Sequence, residues 1–318
     1  MITDGGNMIY DLVIIGSGPA GLSAVIYAQR AKLNAIVIEK LPMSGGQVLS
    51  TERVDNYAGL FGIGGFDLGM KFREHADQLG ANFVEGTVVS VDVSSDIKKI
   101  NTEDGKVYET RAIIIANGAE HAKLGVKGEE EFGGRGVGYC ATCDGAFYRD
   151  KVTAVFGGGD VAVEDAIFLS RMCKKVYLVH RRDELRAAKI LQEEVLSIDN
   201  VEMVWDSQLE EIVGQDKVEK VIVKNKKDGS TRDIDVDGVF IAIGMNPQTD
   251  IYKDSGIKLD EKGYIVAGED CKTNVEGVYV AGDVRTKGLR QIITACADGA
   301  IAVSNIERYL IESKKKIN

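Results

Sequence analysis

Two cysteines three positions apart, with a carboxylic acid directly behind the second, stand in the run Gly138-Tyr139-Cys140-Ala141-Thr142-Cys143-Asp144-Gly145. Thiols at this spacing can close a small disulfide ring. One thiol of such a pair is often the more acidic, because its reduced partner donates a hydrogen bond and a nearby helix N-terminus or cation favours the thiolate. Cys140, Cys143 and Asp144 are therefore candidates for a two-electron relay with its proton donor. The competing readings are half of a zinc knuckle and two unrelated core thiols. Zinc would need two further ligands at short spacing, yet Cys173, Cys271, Cys296, His75, His121 and His180 are scattered singly, which argues against metal.

A second kind of chemistry is written in glycine. The apolar run Tyr10-Asp11-Leu12-Val13-Ile14-Ile15 reads as a buried parallel strand, and Leu22 to Arg30 reads as a helix. Between them lies Gly16-Ser17-Gly18-Pro19-Ala20-Gly21. In a strand, GxGxxG and helix series, Gly16 makes the tight turn and Gly18 lets a pyrophosphate approach the backbone. Gly21 lets helix and strand pack closely, and the phosphate rests on the helix N-terminus. The next strand, Ala35 to Ile38, delivers Glu39 18 residues after Gly21, where an acid binds adenosine ribose hydroxyls.

The same unit recurs 141 residues later: Lys151 to Phe156 as strand, Gly157-Gly158-Gly159-Asp160-Val161-Ala162 as loop, and a helix over Val163 to Met172. Adding that offset to Glu39 lands on His180, behind the strand Val176 to Val179, and brings His180-Arg181-Arg182 with Arg186 nearby. An acid repels a 2′-phosphate, whereas guanidinium groups bind it in bidentate fashion, so the second site is expected to select NADP over NAD. The plainer alternative is a solvated basic helix start.

The elements that must position these groups follow from the rest of the chain. At 318 residues two domains are expected, and hydrophobic residues at 44% suffice for packed interiors. A net charge of −10 argues against a nucleic-acid surface. No long apolar run occurs and the first seven residues lack a basic patch followed by an apolar core, so neither membrane span nor signal peptide is expected. Five cysteines suit a reducing compartment in which one pair cycles, and a cytoplasmic protein is expected. Phe66 to Leu79 reads as a surface helix, 82–93 and 97–108 as strands of a small antiparallel element, and Arg111 to Gly118 as a buried strand. Residues 201–236 read as a strand pair with charged turns, Asp237 to Gly244 as another buried strand, and Gly277 to Asp283 as a strand delivering an acid at its C-terminal end. A helix opens after Arg290-Gln291 and runs toward Leu310, with a frayed tail from Glu312. Domain crossings are expected at 117–121 and 244–247.

Taken together, Cys140-Ala141-Thr142-Cys143-Asp144-Gly145, the loop 157–162, His180-Arg181-Arg182-Asp183 with Arg186, Ala281-Gly282-Asp283, Arg290-Gln291 and Asp298-Gly299 resemble the bacterial-type, low-molecular-weight thioredoxin reductases over nearly the whole chain. The resemblance implies an α/β protein of two Rossmann-like dinucleotide-binding domains in three ββα layers. The FAD domain would comprise 1–119 and 248–318, with an NADPH domain, 120–247, inserted and carrying the CxxC. It implies FAD contacts from the loop residues Gly16, Ser17, Gly18, Pro19, Ala20 and Gly21, from Glu39 and Lys40, and from Gly46, Gln47, Asn56, Val88 and Gly118. Near the C-terminus it implies the same for Gly282, Asp283, Arg290, Gln291 and Ile292. For NADPH it implies Gly157, Gly159, Asp160, Val161, Ala162, His180, Arg181, Arg182, Arg186, Ile243 and Gly244.

The activity implied is transfer of electrons from NADPH through FAD to the Cys140–Cys143 disulfide and on to thioredoxin or a thioredoxin-like protein, in a homodimer. Cys143 would face the flavin, Cys140 would attack the partner, and Asp144 would handle the proton. The related glutathione-reductase class carries its disulfide after the first fingerprint and uses a C-terminal histidine. This chain has no cysteine before Cys140 and no histidine after His180, which excludes that class. A ferredoxin-driven reductase would lack the NADP loop and its arginines, which are present. A flavoprotein reductase of a peroxiredoxin system is a further alternative on the same core, although it usually adds a thioredoxin-like module. A dithiol oxidase would not need the arginines.

Overall fold

The computed structural model describes residues 3–4, 7–51 and 53–317. Among these residues there are six α-helices: α1 Pro19–Arg30, α2 Gly65–Gln78, α3 Ala141–Asp144, α4 Asp160–Ser170, α5 Lys189–Leu196 and α6 Ile292–Ile317. The chain divides into two compact units, Met1–Glu120 with Asn246–Asn318, and His121–Met245.

The first unit is built on a mostly parallel sheet whose strands run Asn82–Glu85, Ala35–Glu39, Asn7–Ile15 and Val107–Ile115 side by side, with Val278–Val280 pairing the far end of the last. Leu12, Val13, Ile14, Ile36, Ile113 and Ile114 are wholly enclosed. A strand buried on both faces has no polar alternation to keep, which is why these runs read as continuous β-branched stretches. Each such side chain contributes about 1.5–3 kcal/mol of burial. On one face lie α1 and α6, packed through Ala20, Ala24, Ala28, Ala302, Val303 and Ile306. Contact is close because Gly299 has no side chain: a Cβ there would lie 2.2 Å from the Ala20 carbonyl oxygen. Across the other face Val13, Ile15, Ile36 and Ile113 pack against Val91, Ile100, Tyr252 and Ile265.

The second unit repeats the plan. Its parallel sheet runs Val201–Val204, Lys175–Val179, Val152–Gly157, Gly238–Ala242 and Val137–Gly138. The helices α4 and α5 contribute Ala162, Val163, Ala166, Leu169 and Val195 to the core on one face. A three-stranded antiparallel sheet, Ser207–Gly214, Val218–Asn225 and Thr231–Asp235, provides the opposite core with Leu209, Ile212, Val221, Val223 and Ile234.

The α/β class with two Rossmann-like folds is the one expected, and α2 lies within a residue of its expected place. Several elements differ. Residues 82–93 are two strands: Asn82–Glu85 joins the parallel sheet beside Ala35–Glu39, and only Val88–Asp92 enters an antiparallel meander with Lys98–Thr102 and the start of Val107–Ile115. The break falls at Gly86, whose N–H donates to the Glu39 carbonyl at 2.9 Å. Residues 201–236 hold four strands rather than a pair, because Val201–Val204 completes the parallel sheet before the three-stranded sheet begins. The helix after the second glycine loop starts at Asp160, three residues early, and the C-terminal helix continues through 312 to Ile317 where a frayed tail was expected.

Candidate active site

In the second unit Cys140 and Cys143 are joined by a disulfide, with Cα atoms 5.3 Å apart. Local folding brings this about. Cys140 is extended and caps the single turn α3, and its carbonyl accepts from the Cys143 N–H at 3.2 Å and the Asp144 N–H at 3.1 Å. That turn carries the second sulfur back toward the first. The Cys140 Sγ lies 3.3 Å from the Thr142 hydroxyl oxygen. Gly138 makes room for Asp144: a Cβ there would stand 2.9 Å from the Asp144 Oδ2.

Beneath the redox turn runs α4. Its buried face includes Ala162, Ala166 and Leu169, and among them sits a carboxylic acid, Asp165. Asp165 is 8% exposed, accepts a hydrogen bond from the Ala141 backbone N–H, and its Oδ2 has no partner among the described residues. Burial, with the Glu164 charge as a smaller contribution, pushes its carboxyl up to about 7 against that hydrogen bond. Sequence reasoning passed over Asp165, although a signal was there. Positions 162, 165, 166 and 169 form one helical stripe, and an acid in an otherwise apolar stripe needs a reason.

The second glycine loop is closed tightly. A Cβ on Gly157 would lie 2.4 Å from the Ala242 carbonyl oxygen, and one on Gly158 would enter the His180 ring at 2.2 Å, whereas Gly159 faces open space. Asp160 opens α4 and its Oδ1 accepts the Ala188 N–H at 2.7 Å, while Val161 is exposed and Ala162 buried. The Arg186 N–H donates to the Gly158 carbonyl at 2.7 Å. His180 itself is buried, and its Nε2 has no hydrogen-bond partner among the described residues. Burial lowers its pKa, with Arg186 and Arg181 adding to the effect and the backbone of Gly157 and Glu184 opposing it, so at neutral pH it is an uncharged ring.

The cations are its neighbours. Arg181, Arg182 and Arg186 are exposed, lie in a non-helical bend before α5, and make no ion pair among the described residues. Two of the acids nearby are already occupied, since Lys227 holds Asp183 at 3.0 Å and Asp206 at 2.9 Å. Ile243 and Gly244, the latter with φ +124, follow the strand Gly238–Ala242 at the same sheet edge.

In the first unit the glycine loop shows the same plan with a different tip. Gly16 takes φ +99, which favours glycine, and a Cβ on it would lie 2.6 Å from the Ala116 carbonyl oxygen. Gly21 is closed by the Gly16 carbonyl, and a Cβ on Gly46 would lie 3.2 Å from Gly18 Cα, so two bare backbones face each other there. The Gly45 N–H donates to the Ser17 carbonyl at 2.8 Å. Pro19 and Ala20 begin α1. Glu39 accepts from both the N–H and the hydroxyl of Ser17, at 2.7 Å each, and its neighbour Lys40 is paired at the surface with Glu120.

Around this loop the Asn56 amide donates to Gln291 Oε1 at 2.8 Å, the Gln47 amide donates to the Ala119 carbonyl, and Gly118 stands open with φ +72. Asp283 follows Gly282, and its Oδ1 is enclosed with no hydrogen-bond partner among the described residues. Burial raises its pKa, against the pull of Lys287 and Arg290. Arg290 stacks over the Tyr264 ring at 4.1 Å, and Ile292 opens α6. Val88 lies apart from this group in the chain and packs on the core containing Ile38. Sequence reasoning quoted Asp298 without a task. In the fold it fixes the loop before α6, accepting from the Gly282 N–H at 2.9 Å, from Arg285 at 2.8 and 2.9 Å, and from Lys287 at 2.7 Å.

Two glycine-loop folds and a reactive cysteine pair in one chain define a class, and comparison with known proteins agrees with it. Residues 10–299 match the pyridine nucleotide-disulphide oxidoreductases, and the chain belongs to that family. Among its relatives are the thioredoxin reductase of Listeria innocua, 46% identical over 310 residues covering 97% of this chain and 96% of the relative, and that of Bacillus subtilis, 44% identical with 97% of each covered. The crystal structure of thioredoxin reductase from Streptococcus pyogenes is 46% identical and aligns with a TM-score of 0.91 over 96% of this chain and 99% of that one. The resemblance to bacterial-type thioredoxin reductases drawn from the sequence motifs is thereby upheld. The family and these relatives imply use of a flavin and a nicotinamide nucleotide.

Proposed function

We propose that this protein is an NADPH-dependent thioredoxin-disulfide reductase that carries FAD in its first unit and NADPH in its second. The observation that carries the proposal is the closed Cys140–Cys143 disulfide in the unit that also presents Arg181, Arg182 and Arg186 without ion-pair partners among the described residues. Among the described residues no helix is long and apolar enough to cross a membrane. We place the enzyme in the cytoplasm as a homodimer, acting on thioredoxin or a protein like it.

The residues of the first unit fit a flavin dinucleotide. Gly18 and Gly46 carry no side chain to keep a diphosphate away from the loop, and the Asp283 Oδ1, unpartnered among the described residues, offers an enclosed acceptor for a hydroxyl. Glu39 keeps unused acceptor capacity for adenosine ribose hydroxyls. In the second unit the open face of Gly159 admits a diphosphate and the three arginines take up a 2′-phosphate. A bound flavin supplies two-electron exchange between the nicotinamide and the disulfide.

The chain's own residues then do the thiol chemistry. Two electrons open the Cys140–Cys143 bond, giving a dithiol. The Cys140 thiolate attacks one sulfur of the partner's disulfide, forming a mixed disulfide and releasing the partner's other sulfur as a thiolate. Cys143 then attacks Cys140 Sγ, which restores the internal disulfide and leaves the partner fully reduced. Asp144, directly behind Cys143, delivers a proton to a departing thiolate. The balance is one NADPH and one proton consumed for each partner dithiol formed.

The test is an absorbance spectrum of the purified protein, followed by titration with NADPH and with NADH while a thioredoxin and a peroxiredoxin are offered in turn. A flavin spectrum bleached by NADPH, and thioredoxin reduced, is the expected outcome. A flavin that NADPH leaves oxidised would transfer the assignment to a ferredoxin-driven reductase.

A further inference from the structure

We infer that Asp165 is a proton-linked positioning residue for the redox pair: its carboxylate holds the peptide N–H between Cys140 and Ala141 and takes up a proton when the disulfide opens. The inference rests on the disulfide-reductase reading and adds to it a residue outside the CxxC-Asp motif.

The placement is specific. Asp165 projects from the buried face of α4 onto the first peptide of α3, and one of its oxygens is engaged there by the Ala141 N–H. The other oxygen is buried without a partner among the described residues. A fully ionised carboxylate is costly in such a place, and a buried polar atom left unpaired is rare enough to call for a cause. A group that must change protonation supplies one, because neither state can then be completely satisfied by fixed partners.

The charges around it leave the redox turn, with its cysteines and Asp144, as the variable. Glu164, on the same helix, acts on it through space. The strands Val152–Gly157 and Gly238–Ala242 beneath α4 bring no charged side chain, only the Thr153 hydroxyl. Lys175 on the neighbouring strand is paired with Glu202. On α5, Lys189, Glu193 and Glu194 are exposed, Glu194 lying 3.9 Å from Arg171. From α3 come Cys140, Cys143 and Asp144. Of all these, only the cysteine pair and Asp144 change charge during turnover, and both are shared by wild type and a variant altered at Asp165 alone.

The balance is as follows. With dithiothreitol as reductant, its two thiols become a disulfide and release two protons and two electrons. The electrons remain on the sulfurs of Cys140 and Cys143 as their bond breaks. Where one sulfur stays a thiolate, its negative charge opposes ionisation of Asp165. The proton that the thiolate does not take is then taken by Asp165. Below about pH 7 the carboxyl is already protonated and adds nothing. Above it, reduction draws one more proton into the wild-type protein than into a variant with no acid at this place.

The experiment is a redox titration of the Cys140–Cys143 pair against dithiothreitol, quenched by thiol alkylation and read by mass, in wild type and Asp165→Asn from about pH 5.5 to about 9, a range that spans the raised carboxyl and an ordinary thiol. Asparagine keeps an acceptor for the Ala141 N–H and cannot ionise. The two curves should run parallel below about pH 7 and diverge above it, the wild type becoming harder to reduce by up to tenfold more per pH unit, about 30 mV for a two-electron couple. Parallel curves over the whole range overturn the inference while leaving the disulfide reversible and the reductase reading intact. A wild-type pair that dithiothreitol cannot reduce would instead strike at the reading itself. Should Asp165→Asn not fold, infrared difference spectra of wild type on reduction at pH 8 (about one unit above the carboxyl's titration) decide the matter: a protonated-carboxyl band must appear, and its absence overturns the inference.

Discussion

The His180 ring lies directly over Gly158, so close that a Cβ on the glycine would stand 2.2 Å from the ring. The corresponding pair 141 positions earlier is Glu39 and Ser17, joined by two hydrogen bonds of 2.7 Å. One strand-loop-helix-strand unit has thus been locked to its glycine loop in two ways, by a carboxylate on a hydroxyl and by an aromatic ring on a bare backbone. The difference matters for selectivity. The first unit keeps a negative charge at the strand tip, while the second keeps a neutral ring there and places its positive charge on the next residues.

If the ring and the glycine are complementary shapes, enlarging one must displace the other. Gly158→Ala should destabilise the protein by about 1–3 kcal/mol, the usual cost of overpacking, and weaken NADPH binding. The double change Gly158→Ala with His180→Ala should recover part of both losses. Urea unfolding and nucleotide titration measure them, and strict additivity of the two single changes would refute the packing argument.

Nicotinamide selectivity should reside in the arginines. Replacing Arg181 and Arg182 together by Ala removes two charge-assisted contacts to a 2′-phosphate, each about 1.5–3 kcal/mol. The KM for NADPH should rise by roughly tenfold or more per arginine while that for NADH hardly moves. Equal losses with both nucleotides would place the phosphate elsewhere.

Much of this was legible in the chain, and the reasons for the rest are physical. The two glycine loops announce themselves because tight turns and close approaches restrict residue type, as at Gly16 and Gly157. Strands such as Asn82–Glu85 are harder to read: this one is half polar and gains its place only by pairing with Ala35–Glu39, a long-range fact. His180 was grouped with its basic neighbours by sequence offset, yet the fold turns it inward and leaves the arginines outside. Asp165 was missed, and Asp298 was singled out without its partners, for a shared reason. An acid in a helix reads as a solvated side chain until its partners are known, and those partners lie on other elements.

The Asp298 cluster is a test of stability. Its carboxylate lies with Arg285 and Lys287, all nearly excluded from solvent. Burial opposes its ionisation, but the hydrogen bonds from Arg285 and Lys287 prevail and hold its pKa below the usual carboxylate range. Asp298→Ala strands two buried cations, and breaking such a group costs about 3–5 kcal/mol. The pH dependence follows from the sign. A depressed folded pKa contributes stability that is present above the unfolded value, about 3.9, and lost as pH falls through the folded one. Denaturant titrations should therefore show the gap between wild type and Asp298→Asn constant above about pH 5 and narrowing in more acidic solution. A gap that widened on acidification would contradict the pairing.

The two cysteines should separate by role. With a thioredoxin lacking its second active-site cysteine, Cys143→Ser should accumulate a mixed disulfide through Cys140, since the residue that resolves it is gone. Cys140→Ser should accumulate far less. Mass spectrometry of the trapped adduct decides the matter, and a Cys143-linked adduct as the main product would reverse the assignments.

The central claim is that electrons from NADPH reach a protein disulfide only by way of Cys140 and Cys143. Its most direct measurement is the NADPH-driven formation of thioredoxin dithiol by wild type, Cys140→Ser and Cys143→Ser under identical conditions. The account predicts one dithiol per NADPH consumed for the wild type and no catalytic dithiol formation by either variant. Thioredoxin reduction by either variant at the wild-type rate would contradict it.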